Sequence, residues 1–100
     1  MTGGDANAGA RSVQVRIEGN VQGVGFRNWT QRLAGQLDLT GWVRNRRDGS
    51  VEAVFSGADA AVEEALKRCR MGPRSAKVIS VTVIGEHAPV VDGFEIRPGV

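Results

Sequence analysis

Apolar and polar residues alternate over residues 12–19, the first patterned segment of the chain. Val13, Val15 and Ile17 are separated by single polar residues, and this period of two predicts a strand with one buried face. After a loop over residues 20–25 the period changes, because apolar residues recur at helical spacing. The change predicts an amphipathic helix from Phe26 to about Leu39.

Strands and one further helix follow along the rest of the chain. The strands are predicted over residues 41–46, 50–56, 78–84 and 94–97. Asp48-Gly49 predicts a tight hairpin turn between the first two of these strands. Asp59 is the predicted N-cap of the second helix, which ends at Gly72-Pro73 and whose apolar stripe comprises Val62, Ala65, Leu66 and Cys69.

The order of these elements predicts the architecture. It runs strand, helix, strand, strand, helix, strand, with a short closing strand. Each strand–helix–strand unit crosses over with a right hand, so both helices lie on one face of a mainly antiparallel sheet. This is an α+β fold, a ferredoxin-like split βαβ sandwich. We expect one domain over residues 12–100 and a disordered tail over residues 1–11, which are rich in Gly, Ala and small polar residues.

Composition narrows the classes of function. The formal net charge of +2 argues against a nucleic-acid partner. Cys69 is the single cysteine, which excludes an internal disulfide and a multi-cysteine zinc site. His87 is the single histidine and is predicted in a solvated surface loop, which argues against a Ser-His-Asp triad. No apolar segment approaches the ~20 residues of a membrane span, so we expect a cytoplasmic protein without a membrane partner.

The loop before the first helix is a candidate anion site. Gly23 and Gly25 allow backbone angles at which successive N–H groups converge on one point, and the helix dipole adds positive potential there. Such a nest of donors binds anions, phosphate above all. Arg27 in the first helical turn opposes the dipole at a cost of some tenths of a kcal/mol, unless an anion lies between them. The alternative is a tight turn beside a surface arginine.

Asn45 is the second candidate. In a strand it shares a face with Val43, whereas Trp42, Arg44 and Arg46 lie on the other face. A neutral amide can hold a water by donating and accepting hydrogen bonds at once. The alternative is an asparagine that shapes the hairpin. The neighbouring arginines are predicted to form a solvated hairpin tip made of Arg44, Arg46 and Arg47.

These two segments resemble the signatures of the acylphosphatase family. The first comprises Gly19, Val21, Gln22, Gly23, Val24, Phe26 and Arg27. The second comprises Gly41, Trp42, Val43, Arg44, Asn45, Gly49, Val51 and Gly57. The resemblance covers about residues 12–97 and implies a ferredoxin-like fold, in agreement with the order of elements.

The resemblance also implies an activity, the hydrolysis of a small-molecule acyl phosphate to a carboxylate and inorganic phosphate. It implies that Asn45 orients the attacking water and that no metal, cofactor or covalent intermediate takes part. It implies that the phosphoryl group is bound by Arg27 and by the N–H groups of Gln22, Gly23, Val24, Gly25 and Phe26. We expect a monomer that binds phosphate or sulfate in this loop.

Three other functions stay open at this point. A related domain, found in carbamoyl-transfer proteins that mature hydrogenases, has a similar loop, but proline typically follows its arginine and Asn28 stands here. An RNA-binding module needs stacking aromatics on the middle strands, where Phe55 falls in the core register. An anion-binding regulatory domain differs from the enzyme only in a hydrolysis assay.

Overall fold

The computed structural model describes residues 10–100, which contain two helices and five strands. They are β1 (Ala10–Asn20), α1 (Phe26–Gln36), β2 (Thr40–Asn45), β3 (Val51–Ala58), α2 (Asp59–Cys69), β4 (Lys77–Glu86) and β5 (Phe94–Ile96). The order is the one that the sequence predicts. β1 begins at Ala10, earlier than expected, and residues 1–9 of the predicted tail lie outside the described residues. Within residues 10–100, neither helix is long and apolar enough to span a membrane.

The sheet has the strand order β4-β1-β3-β2-β5. All neighbouring strands are antiparallel except β2 and β5, which are parallel. Because β1 and β2 both run antiparallel to β3, their C-terminal ends lie at the same end of the sheet, on either side of β3. The loop after Asn20 and the side chain of Asn45, which lie far apart in the sequence, are therefore close together at this end. The arrangement is the ferredoxin-like α+β fold that the sequence predicts.

The core lies between the helices and one face of the sheet. The alternating residues of β1 point into it as predicted, since Val15 and Ile17 are fully buried. α1 and α2 cover this face with Phe26, Leu33, Ala34, Val62, Ala65, Leu66 and Cys69. Cys69 is a small core residue, as expected from its place on the helix stripe, and burial raises the pKa of its thiol to about 12.

Two helix boundaries differ from the prediction. Asp59 is the first residue of α2 and not its N-cap, which is Ala58, and no side chain caps this helix. The Asp59 carboxylate lies 3.4 Å from the guanidinium of Arg11 on β1 instead. α1 ends at Gln36 and not near Leu39, because Asp38 adopts a left-handed conformation with φ 57° that the helix cannot continue through.

The connection between β4 and β5 folds over the sheet face opposite the helices. The His87 N–H donates to the Ser12 carbonyl at 3.0 Å, and the Val90 N–H donates to Ser56 Oγ at 3.2 Å. The His87 ring lies with its edge towards Trp42, at 6.2 Å between centroids. His87 lies in a loop as predicted but is partly buried, since this connection packs against the sheet.

Candidate active site

The loop after β1 holds glycines in the left-handed region. Gly25 is the N-cap of α1 with φ 80° and ψ 18°, and Gly23 has φ 74°. A Cβ at either position would meet no atom within 4 Å. Glycine is therefore required here by the backbone angle and not by lack of space. The Gly25 carbonyl accepts the N–H of Trp29 at 3.0 Å and so closes the first turn of α1.

A pocket of about 160 Å³ lies where this loop meets the end of β2. Arg27, half-buried in the first turn of α1, contributes to its wall together with Asn45. The other lining residues are Val21, Gly23, Gly25, Phe26, Asn28 and Ile96. The pocket is open at the surface and is large enough for a phosphate-sized group.

Asn45 brings a polar side chain to this pocket. Asn45 is the last residue of β2, and its side chain lies on the same face of the sheet as Val43, which is fully buried against the helices. Its side-chain Oδ1 is buried and has no hydrogen-bond partner within residues 10–100. An unsatisfied buried acceptor costs about 1–3 kcal/mol. Asn45 is therefore the candidate polar group on the β2 side of the pocket.

Gln22 makes contacts that the sequence does not reveal. Its side-chain Nε2 donates to the carbonyl of Arg46 at 2.6 Å and to the carbonyl of Ser50 at 2.8 Å. Both carbonyls belong to the hairpin between β2 and β3. Gln22 and Val24 are absent from the pocket wall formed by the described residues, unlike the other predicted loop residues. No local sequence pattern predicts this contact, because it depends on the order of the strands in the sheet.

The hairpin turn at residues 46–50 is held by its own side chains. Asp48 Oδ1 accepts hydrogen bonds from Ser50 Oγ at 2.6 Å and from the Ser50 N–H at 2.9 Å. These two bonds hold the pKa of the Asp48 carboxyl below its usual value. Gly49 has φ 92°, as the Asp-Gly signal predicts. The turn behind Asn45 is thus locally well fixed.

Glu52 is a buried carboxylate on the sheet face opposite the pocket. Its residue is 2% exposed, and Oε1 accepts from Arg44 Nε at 2.8 Å and from Arg46 Nη1 at 3.1 Å, while Gln14 Nε2 donates to Oε2. Burial alone would raise the pKa of Glu52, but these bonds and the positive charge of Arg44 outweigh it and the pKa lies below its usual value. Arg47 is exposed, as predicted for a solvated tip, whereas Arg44 and Arg46 are only partly exposed because they pair with Glu52.

The fold and the pocket define a ferredoxin-like α+β protein with a candidate anion site at the start of its first helix. The acylphosphatase family model matches residues 13–96. An acylphosphatase of Rhodopseudomonas palustris (strain BisB18) is 53% identical over 87 residues, which cover 86% of this chain and 85% of the relative. The chain belongs to the acylphosphatase family. This confirms the resemblance of its two motifs and agrees with the expected enzyme acting on acyl phosphates.

Solved structures carry the same fold. The structure of an acylphosphatase from Coxiella burnetii superposes with a TM-score of 0.86 at 31% identity and covers 97% of this chain and 100% of that one. The crystal structure of full-length HypF in the phosphate- and nucleotide-bound form matches with a TM-score of 0.81 at 24% identity. That match covers 90% of this chain but 12% of HypF. The second likeness is thus to one part of a much longer protein and shows the fold alone.

Proposed function

We propose that the chain hydrolyses acyl phosphates at this pocket, with the phosphoryl group held by the loop and Arg27 and the attacking water held by Asn45. The observation that supports the proposal is the shared pocket. Arg27 and Asn45 line it together with the positive-φ glycines Gly23 and Gly25. A cation, a glycine loop at a helix start and a side-chain amide are groups that suit a phosphoanhydride and a water.

The phosphoryl group is bound by charge and by oriented donors. N–H groups at a helix start and in a glycine nest bind phosphate oxygens. The guanidinium of Arg27 matches two of these oxygens in a bidentate pair. The negative charge of the phosphoryl group offsets the unfavourable position of this cation at the positive end of the helix dipole. Donors that are fixed before the reaction stabilise the charge of the transition state without reorganisation.

The reaction needs an oriented water more than an acid. The water oxygen forms a new bond to phosphorus, and the bond from phosphorus to the acyl oxygen breaks, with its electron pair leaving on the carboxylate. The proton of the water passes to a phosphate oxygen. A carboxylic acid has a pKa of about 4, so its carboxylate leaves without protonation. The side-chain amide of Asn45 hydrogen-bonds the water and so directs its lone pair at phosphorus.

Hydrolysis of benzoyl phosphate without added metal tests the proposal. Loss of the anhydride is followed for the wild type and for Arg27→Ala, with Arg32→Ala as the matched control because Arg32 is an exposed arginine of the same helix. We expect Arg27→Ala to lose at least about 10²–10³-fold in kcat/KM, and Arg32→Ala to stay near the wild type. A folded wild type without activity above background would refute the enzyme and leave an anion-binding domain.

Asn45→Ala separates water orientation from phosphate binding. We expect kcat to fall by about 10²-fold while the inhibition constant of inorganic phosphate changes little, since the loop and Arg27 remain in place. Circular dichroism confirms that the variant is folded. Full turnover combined with weak phosphate binding would contradict the role given to Asn45.

A further inference from the structure

The side chain of Gln22 connects the two halves of the candidate active site. Gln22 lies in the loop between Val21 and Gly23, both of which line the pocket. Its amide reaches away from the pocket to the carbonyls of Arg46 and Ser50, at 2.6 Å and 2.8 Å. We propose that Gln22 is a positioning residue, which fixes the loop of residues 20–25 relative to Asn45; the proposal rests on the function proposed above.

The strand order makes such a connection necessary. β3 lies between β1 and β2, so the strand that leads into the loop and the strand that ends at Asn45 are two strand spacings apart, about 10 Å. The loop and Asn45 therefore share no direct backbone ladder. Gln22 links the loop to the β2–β3 hairpin through its two amide N–H groups.

The carbonyls of Arg46 and Ser50 also accept the backbone hydrogen bonds that close the β2–β3 hairpin. The Arg46 N–H donates to the Ser50 carbonyl at 2.9 Å, and the Gly49 N–H donates to the Arg46 carbonyl at 3.1 Å. Arg46 directly follows Asn45. Any shift of this hairpin against the loop therefore moves Asn45 against the bound phosphoryl group.

The hairpin has supports of its own besides Gln22. Ser50 binds the Asp48 carboxylate, and Arg46 binds the buried carboxylate of Glu52 on the other face of the sheet. Removal of the Gln22 donors should therefore leave the hairpin formed but free to shift against the loop. A misplacement of about 1 Å between reacting groups costs about 10²-fold in rate.

Gln22→Met tests the connection, because methionine has a similar length and no donor. We expect kcat for benzoyl phosphate to fall by about 10²-fold, while the inhibition constant of inorganic phosphate stays within about threefold of the wild type, since the loop N–H groups and Arg27 are retained. A kcat equal to that of the wild type overturns the proposal. Equal losses in kcat and in phosphate binding also overturn it, because Gln22 would then serve the binding loop itself.

Gln22→Glu adds a test by pH that a general loss of structure would not mimic. As a carboxylate the new side chain has no donor for the two carbonyls, whereas its protonated form has one O–H donor. We expect its kcat, relative to the wild type, to rise as the pH falls, with a midpoint above the ordinary glutamate pKa of about 4.3 because the carbonyl oxygens disfavour the charged form. Gln36→Glu on the exposed face of α1 is the control. No rise, or an equal rise in the control, overturns the proposal.

The failure of this proposal is distinguishable from a failure of the proposed function. An inactive wild type refutes hydrolysis, whereas an active wild type with unaffected Gln22 variants refutes the positioning role alone. The side-chain amide resonances of Asn45 in the NMR spectrum give a readout that needs no activity. They should shift in Gln22→Met, and unchanged resonances overturn the connection even if the wild type is inactive.

Discussion

Two glycine-to-alanine substitutions at the ends of α1 should change stability in opposite directions. Gly25 has φ 80° and Gly35 lies inside the helix without a positive φ. A Cβ would meet no atom within 4 Å at either site. Packing therefore contributes nothing to the difference, and the backbone conformation alone decides the sign.

The magnitudes follow from the two conformations. An L-residue in the left-handed region costs about 1–2 kcal/mol, so Gly25→Ala should lower the free energy of unfolding by that amount. Alanine in place of a helical glycine gains about 0.5–1 kcal/mol, so Gly35→Ala should raise it. The two variants should therefore differ by about 1.5–3 kcal/mol. Gly25→Asn should lie between the wild type and Gly25→Ala, because asparagine enters the left-handed region more readily than alanine.

Urea unfolding followed by the fluorescence of Trp29 and Trp42 measures these differences. The inhibition constant of inorganic phosphate gives a second readout, and we expect it to worsen in Gly25→Ala but not in Gly35→Ala, because relief of strain at Gly25 turns the loop N–H groups away from the anion. If Gly25→Ala were as stable as the wild type and bound phosphate equally well, the left-handed N-cap would not be a requirement of this site. Destabilisation by Gly35→Ala would contradict the helical assignment of this residue.

The remaining predictions concern two buried groups. The folded pKa of Glu52 lies below its unfolded value, so the ionised carboxylate stabilises the fold above about pH 4.3, and this contribution is lost as the pH falls through the folded pKa. Glu52→Gln should lower the free energy of unfolding by about 2 kcal/mol at pH 7 and by less near pH 3. An equal decrease at both pH values would show that the charge of Glu52 does not contribute to stability. The thiol of Cys69, with a pKa raised to about 12, should react with a disulfide reagent at pH 8 at least 10²-fold more slowly than in unfolded protein, as roughly estimated from its thiolate fraction. Fast labelling of the native chain would mean that α2 opens readily.

Sequence patterns predicted those strands, turns and loops whose structure depends on residues close together in the chain. The alternation at Val13, Val15 and Ile17 identified β1 and its buried face, and Asp48-Gly49 identified the hairpin turn. The glycine loop pointed to an anion site because it stands directly before a helix, and Arg27 and Asn45 do share one pocket. These features depend on residues that are close in the sequence or on two motifs of known separation.

Contacts between distant segments were beyond such patterns. The alternation places Glu52 on the sheet face opposite the helices, but it does not show that Arg44 and Arg46 would enclose it. The same holds for His87, whose burial depends on how the β4–β5 connection crosses the sheet. Gln22 was expected to serve through its backbone, whereas its side chain meets a hairpin that only the strand order brings near.

The length of β1 has a consequence for how the chain can be handled. Its 11 residues rise about 3.3 Å each, so Ala10 lies roughly 30 Å from the loop that the strand leads into. Charges are largely screened beyond about 10 Å at ordinary ionic strength. A charge introduced at Ala10 itself would therefore be electrostatically separate from the candidate anion pocket. A variant with a charged residue at position 10 should bind phosphate as the wild type does.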